Sequence, residues 1–162
     1  LIALSQIPMV VVSAGAKAVL DLPKTLEALE TLGVPVLGFG TNEFPAFYSQ
    51  KSGLSGLLRI ESPGEAARVY RKNMEAGLTA STLVVNPVSE KDEIPNNEIE
   101  EILDGAISGA IENKIKGKDL TPFLLKEILE KTSGRSLETN KALAINNVSL
   151  GIKISKELSY GS

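Results

Sequence analysis

Pro8-Met9-Val10-Val11-Val12-Ser13-Ala14-Gly15-Ala16-Lys17 is the stretch on which the fold turns. Its β-branched run, Val10 to Val12, has the composition of a buried strand. The four small residues Ser13 to Ala16 read as a tight turn. A helical pattern is expected from Lys17 or Ala18 onward, with Leu20, Leu26, Leu29 and Leu32 at roughly helical spacing. Pro23 falls inside that pattern and is expected to kink or restart the helix. Gly33 is a normal C-terminal stop, and Val34-Pro35-Val36-Leu37-Gly38-Phe39 reads as a second strand. Strand, helix, strand in this order predicts a crossover connection and parallel pairing.

Beyond Gly40, Thr41 to Tyr48 is a loop dense in aromatics and turn formers, followed by Ser52-Gly53-Leu54. Ser62-Pro63-Gly64-Glu65 opens a helix, with Ser62 as N-cap and Pro63 at its first position; the helix runs to about Glu75 and ends at Gly77. Residues 81–86 form a third strand, and Asn86-Pro87 opens a polar loop lasting to Pro95. The last third is helical: one helix capped by Asn96 or Asn97, a second with Thr121 as N-cap and Pro122 behind it, ending at Gly134, and a long third from about Ser136 to Leu158. The fold class is therefore α/β, a mostly parallel sheet flanked by helices with a helical C-terminal third. No internal repeat or linker divides the chain.

Composition removes several classes of function. At 162 residues, 43% of them hydrophobic, the chain suffices for one domain with a core. A net charge of −3 with interspersed signs gives no basic footprint for nucleic acid. The absence of cysteine rules out disulfides and thiolate metal sites, and the absence of histidine removes the commonest general base and metal ligand. Catalysis must then use lysine, carboxylates, hydroxyls, amides or an oxygen-held metal. No apolar run is long enough to span a bilayer. Leu1 to Val12 lacks the charged flank and cleavage site of a signal peptide. A start without methionine is expected to lie inside a longer product.

Four features could carry chemistry. Lys17 follows a strand and a small-residue turn at an expected helix start, where partial positive charge and burial among Val11, Ala14 and Ala16 would both disfavour the ammonium. A neutral amine is the form that makes a Schiff base; the plain alternative is a solvated surface lysine. In the Thr41–Tyr48 loop, Glu43 could act as an acid or ligand and the aromatics could stack on a flat base, or Phe44, Phe47 and Tyr48 could simply seal the sheet. On the last helix, Ser136, Asn140, Ala144, Asn147 and Gly151 share one small, polar face, suited either to a ligand or to close packing. Lys116 and Lys118, near a helix N-terminus, could meet a phosphate or form a surface turn.

In order, these blocks resemble the C-terminal half of the pseudouridine-5′-phosphate glycosidase family (indigoidine synthase A-like). Val10 to Asp21 is similar to the strand and turn around that family's Schiff-base lysine. The likeness continues through Thr25-Leu26-Glu27, Leu29-Glu30, Gly38 to Phe47, Ser52-Gly53-Leu54 and Asn86-Pro87-Val88. Gly117-Lys118-Asp119-Leu120-Thr121-Pro122-Phe123-Leu124-Leu125, Thr132-Ser133-Gly134 and Ser136 to Ala144 complete it. The resemblance implies that residues 1–162 are the C-terminal half of a larger α/β/α domain. It also implies reversible cleavage of the C–C glycosidic bond of pseudouridine 5′-phosphate, to uracil and ribose 5-phosphate, through a lysine imine. Lys17 takes the position of that lysine, and Asn140 that of an asparagine helping to hold the sugar phosphate. The family implies a manganese ion whose ligand, like the general acid, lies upstream of Leu1, and a cytoplasmic (in eukaryotes also organellar) homotrimer completed by an N-terminal half. No nucleic acid polymer or membrane is implied as a partner. Alternatives are a relative that builds C-glycosides in secondary metabolism and a non-catalytic assembly module. The chain alone is expected to be inactive.

Overall fold

The computed structural model describes residues 1–17 and 20–160. A short helix α1 (Ile2–Gln6) leads into β1 (Val10–Ser13), and α2 (Leu22–Thr31), β2 (Val36–Phe39), β3 (Leu58–Ile60), α3 (Pro63–Glu75) and β4 (Thr82–Val85) follow. The C-terminal third is α4 (Asn96–Glu112), α5 (Leu120–Lys131) and α6 (Arg135–Tyr160). The strands form one sheet in the order β1-β4-β2-β3, parallel at every pairing. The predicted parallel α/β class therefore holds. The pairing differs in one respect, because β4 lies between β1 and β2 and pairs Val10 with Thr82 and Val36 with Leu83.

Alternation along the strands sorts the core into two layers. Leu83 and Val85 point to the side of α2, where they pack with Leu29, Val34 and Phe44. Leu37 and Val84 point to the other side and meet Ala66 of α3 and Leu150 and Ile154 of α6. Every residue of β4 is buried, as a central strand covered on both faces requires. Each buried aliphatic side chain there contributes about 1.5–3 kcal/mol before entropy is counted. A third cluster, Ile94, Ile99, Leu103, Leu124 and Ile128 with Tyr48, joins α4 and α5 to the aromatic loop.

Local signals account for most boundaries. The Ser62 hydroxyl accepts from the Glu65 amide at 3.3 Å with Pro63 in the first turn, as expected. Four expectations are corrected. The first helix after β1 begins at Leu22, because the Asp21 carboxylate accepts the Lys24 amide at 3.1 Å and caps it there. Pro23 consequently sits in the first turn, where its missing N–H costs nothing, and it does not kink the helix. Lys17 lies outside any helix, with its carbonyl accepting from Leu20 N in a turn; Ala18, the other expected start, lies outside the described residues. α5 begins at Leu120 after Asp119, so Thr121 and Pro122 fall within its first turn rather than capping it. α4 begins at Asn96 after Pro95 without a side-chain cap, and Asn96 instead donates to Glu100 at 2.7 Å.

Candidate active site at the carboxyl edge of the sheet

Lys17, the aromatic loop and Asn86 all follow the carboxyl ends of parallel strands, the edge where open α/β sheets hold their ligands. The turn bearing Lys17 is fixed by its neighbours. The Ser13 carbonyl accepts Asn86 N at 2.7 Å, and Gly15 forms an antiparallel bridge with Ala46. Gly15 has φ +88°, and a Cβ built there would lie 2.1 Å from the Pro45 carbonyl oxygen. Glycine at this point is thus demanded twice, by the left-handed backbone and by the loop laid against it.

The loop serves several ends. Phe44 is fully buried against α2 and seals the core, as the plain alternative held. Glu43 turns its carboxylate onto the backbone of its own loop, accepting from Ser52 N at 2.7 Å and from Gly53 N. Its chemistry is therefore structural rather than that of a free acid or ligand. Phe47 adopts a left-handed φ of 64° and meets the Tyr48 ring edge-on at 4.9 Å. With Tyr48 95% covered, its face is not available for base stacking. Burial also raises the Tyr48 phenol above its ordinary value of 10.0, so it stays protonated at neutral pH.

α6 closes the site from the far end of the chain. Leu143 packs with Ala14, Val88 and Phe47, and the Thr139 hydroxyl donates to the Asp92 carbonyl at 2.7 Å. Lower on the helix, Asn86 donates to the Asn147 side chain at 3.1 Å. These contacts bring Lys17 and Asn140 to one cavity of about 140 Å³, with Tyr48 and Ser136 as its other polar lining. Leu125 and Leu129 of α5 and Leu137 of α6 supply the apolar wall.

The structure divides the small-residue stripe. Ser136 is buried, Asn147 is half-buried and bonded, and Asn140 and Ala144 are exposed. Gly151 has nothing within 4 Å of where a Cβ would stand, so close packing does not explain its size. The helix instead packs through Ser136, Thr139, Leu143, Leu150 and Ile154. Lys116 and Lys118 are exposed at the Gly117–Asp119 turn, away from the Lys17 cavity.

No carboxylate lines the Lys17 cavity, and among the described residues no group of three or more acidic side chains could hold a metal. The residues present do not by themselves fit manganese. No helix among the described residues is long and apolar enough to cross a membrane.

A pseudouridine-5′-phosphate glycosidase of Solibacter usitatus is 51% identical over 148 residues, covering 91% of this chain and 50% of the relative. One from Paracoccus denitrificans is 50% identical over 93% of this chain, again 50% of the relative. Among solved structures, the prealnumycin C-glycosynthase in complex with ribulose 5-phosphate superposes with a TM-score of 0.93 at 26% identity, over 98% of this chain and 52% of that one. An indigoidine synthase A-like protein of Thermotoga maritima gives 0.82 at 44% identity, over 95% and 51%. The chain thus spans about half the length of the curated relatives it matches. Residues 1–157 match the family described as indigoidine synthase A like protein, and the chain belongs to that family.

Proposed function

We propose that this chain is one half of a pseudouridine-5′-phosphate glycosidase and that Lys17 is its covalent nucleophile. The observation that carries the reading is the meeting of Lys17 and Asn140, from opposite ends of the chain, in one cavity at the carboxyl edge of the sheet. Relatives about half identical to the chain carry that activity in their names, whereas the C-glycosynthase, similar in fold, is 26% identical. In the proposed reaction Lys17 Nζ bonds C1′ as the ring C1′–O4′ bond opens. The C1′–C5 bond then breaks with its electron pair left on the uracil C5, which takes a proton. C1′ remains as the lysine iminium, and water releases ribose 5-phosphate and the free amine. An assay with pseudouridine 5′-phosphate on the chain combined with the complementary half tests this; formation of uracil supports it, and a complete assembly inert toward this substrate sinks it.

Asn140, exposed on its helix at the cavity mouth, can donate to a phosphate or sugar oxygen and accept from a hydroxyl. Asn140→Ala in the assembled enzyme is expected to weaken substrate binding by about 1–3 kcal/mol. Steady-state kinetics with an unchanged KM and kcat would return Asn140 to a surface role.

The proposal includes the other half of the domain as a partner, with the general acid, the manganese ligand and a cytoplasmic homotrimer. Residues 142–152 of α6 contain no charged side chain, yet Ile145 is 69% and Val148 63% exposed, with Ile152 on the same face. A helix so exposed is normally charged on its outer side. This face begins beside Asn140, and β1 is an edge strand with one neighbour. Together they make a seat for the second half of a domain of which this chain spans about half. Alone, the chain is expected to self-associate, and with the complementary half to sediment as one defined species. A stable monodisperse monomer of the chain alone in analytical ultracentrifugation would count against that seat.

A further inference from the structure

Seven hydroxyl-bearing residues are nearly or fully buried: Ser49, Ser81, Thr82, Thr132, Thr139, Ser136 and Tyr48. The first five have hydrogen-bond partners. Ser49 donates to the Ile94 carbonyl at 2.5 Å, Ser81 to Ile7 at 2.6 Å, Thr132 to Ile128 at 2.7 Å and Thr139 to Asp92 at 2.7 Å, while Thr82 accepts from Asn73 at 3.4 Å. The hydroxyls of Tyr48 and Ser136 have no partner among the described residues. Yet no fully enclosed side-chain oxygen or nitrogen there lacks one. Both hydroxyls must therefore reach open space. Both residues line the cavity that holds Lys17 and Asn140.

Folded proteins satisfy buried hydroxyls because an unmade hydrogen bond is costly. Two hydroxyls on largely buried side chains, unpartnered among the described residues and opening onto one cavity beside a lysine, are placed to meet a ligand. Both are also held rigidly. The Tyr48 backbone donates to Ala46 at 2.8 Å and accepts from Ile94 at 2.9 Å, and its ring abuts Phe47. The Ser136 amide donates to the Thr132 hydroxyl at 3.2 Å, leaving only its own hydroxyl free for a ligand.

We infer that Tyr48 and Ser136 are ligand-binding residues, their hydroxyls hydrogen-bonding the oxygens of a phosphorylated polyol held on Lys17. The inference rests on the proposed glycosidase reading for the identity of that polyol. Four groups then converge on one ligand: an amine, a phenol, an alcohol and an amide. The phenol and the alcohol can each donate and accept, which suits successive hydroxyls of an open-chain sugar.

Tyr48→Phe and Ser136→Ala keep the packing and remove only the unpartnered oxygens. In the assembled enzyme, ribose 5-phosphate is the probe, trapped on Lys17 with borohydride and read by mass spectrometry. Each variant is expected to raise the half-saturating concentration about tenfold, and the double variant about a hundredfold. The melting temperature of the ligand-free protein should not fall, since neither oxygen bonds to another described residue. Half-saturation within twofold of the parent in both variants, or a loss that tracks a lower melting temperature, overturns the inference. A parent that is never labelled overturns the glycosidase reading and this inference with it. A labelled parent with unaffected variants overturns only the roles of Tyr48 and Ser136.

Discussion

Lys17→Arg and Lys17→Ala are both expected to abolish turnover of pseudouridine 5′-phosphate, by about a thousandfold or more, in the assembled enzyme. Arginine keeps the charge but forms no imine, and alanine removes the nitrogen. Lys17 is half-buried, outside any helix, and among the described residues its side chain makes no hydrogen bond or ion pair, so both variants should fold with an unchanged melting temperature. Borohydride added during turnover should leave a sugar-phosphate mass on the peptide containing Lys17 in the parent and in neither variant. Near-normal turnover by Lys17→Arg would make Lys17 a phosphate-binding or structural lysine instead. The structure alters the grounds for this expectation. No helix starts at Lys17, so the expected helix-end field is absent from its surroundings, and the expectation rests on its place in the cavity.

Gly15→Ala should have the largest effect on stability. A left-handed conformation costs a non-glycine residue about 1–2 kcal/mol. The new Cβ would also stand 2.1 Å from a backbone carbonyl oxygen, and backbone cannot swing aside as a side chain can. Overpacking of this kind adds about 1–3 kcal/mol or more. A melting temperature lower by roughly 10 °C is expected at this chain length, with Lys17 labelling lost as the turn and the aromatic loop separate. Gly33→Ala is the matched control, since Gly33 has φ +66° but nothing within 4 Å. If the two variants melt together, the close approach of Gly15 to Pro45 does not constrain the turn.

The strands β1, β2 and β4 were legible because β-branched and apolar runs bounded by glycine and proline have few other uses. The helix begun by Ser62 and Pro63 was legible from its serine cap and first-turn proline. β3 was not, because Leu58-Arg59-Ile60 is three residues at a sheet edge, two of them exposed, with no periodicity to read. The start of α2 was misread because Leu20 fits the helical spacing by chance while Asp21 sets the boundary. At the site, Lys17 stood out as a lysine after a strand and a small-residue turn and Asn140 as an amide on a small polar helix face, and the family resemblance gave each its role. Tyr48 and Ser136 were visible only as members of an aromatic loop and a small-residue stripe. What distinguishes them is that, among the described residues, their hydroxyls lack partners where others have them, and that requires knowing the neighbours in space.

The central position of β4 bears on the order in which the molecule takes shape during synthesis. β2 and β3 can zip together early, whereas within this chain β1 finds its hydrogen-bonded strand only once Thr82 to Val85 have left the ribosome. Joining β1 to β4 means closing a long loop, a slow event for parallel strands. The turn carrying Lys17 hangs from the end of β1 and is tied to Asn86 just beyond β4. Lys17 therefore takes its place only after β1 and β4 have paired, so the turn that carries it is one of the last parts of the sheet edge to be set.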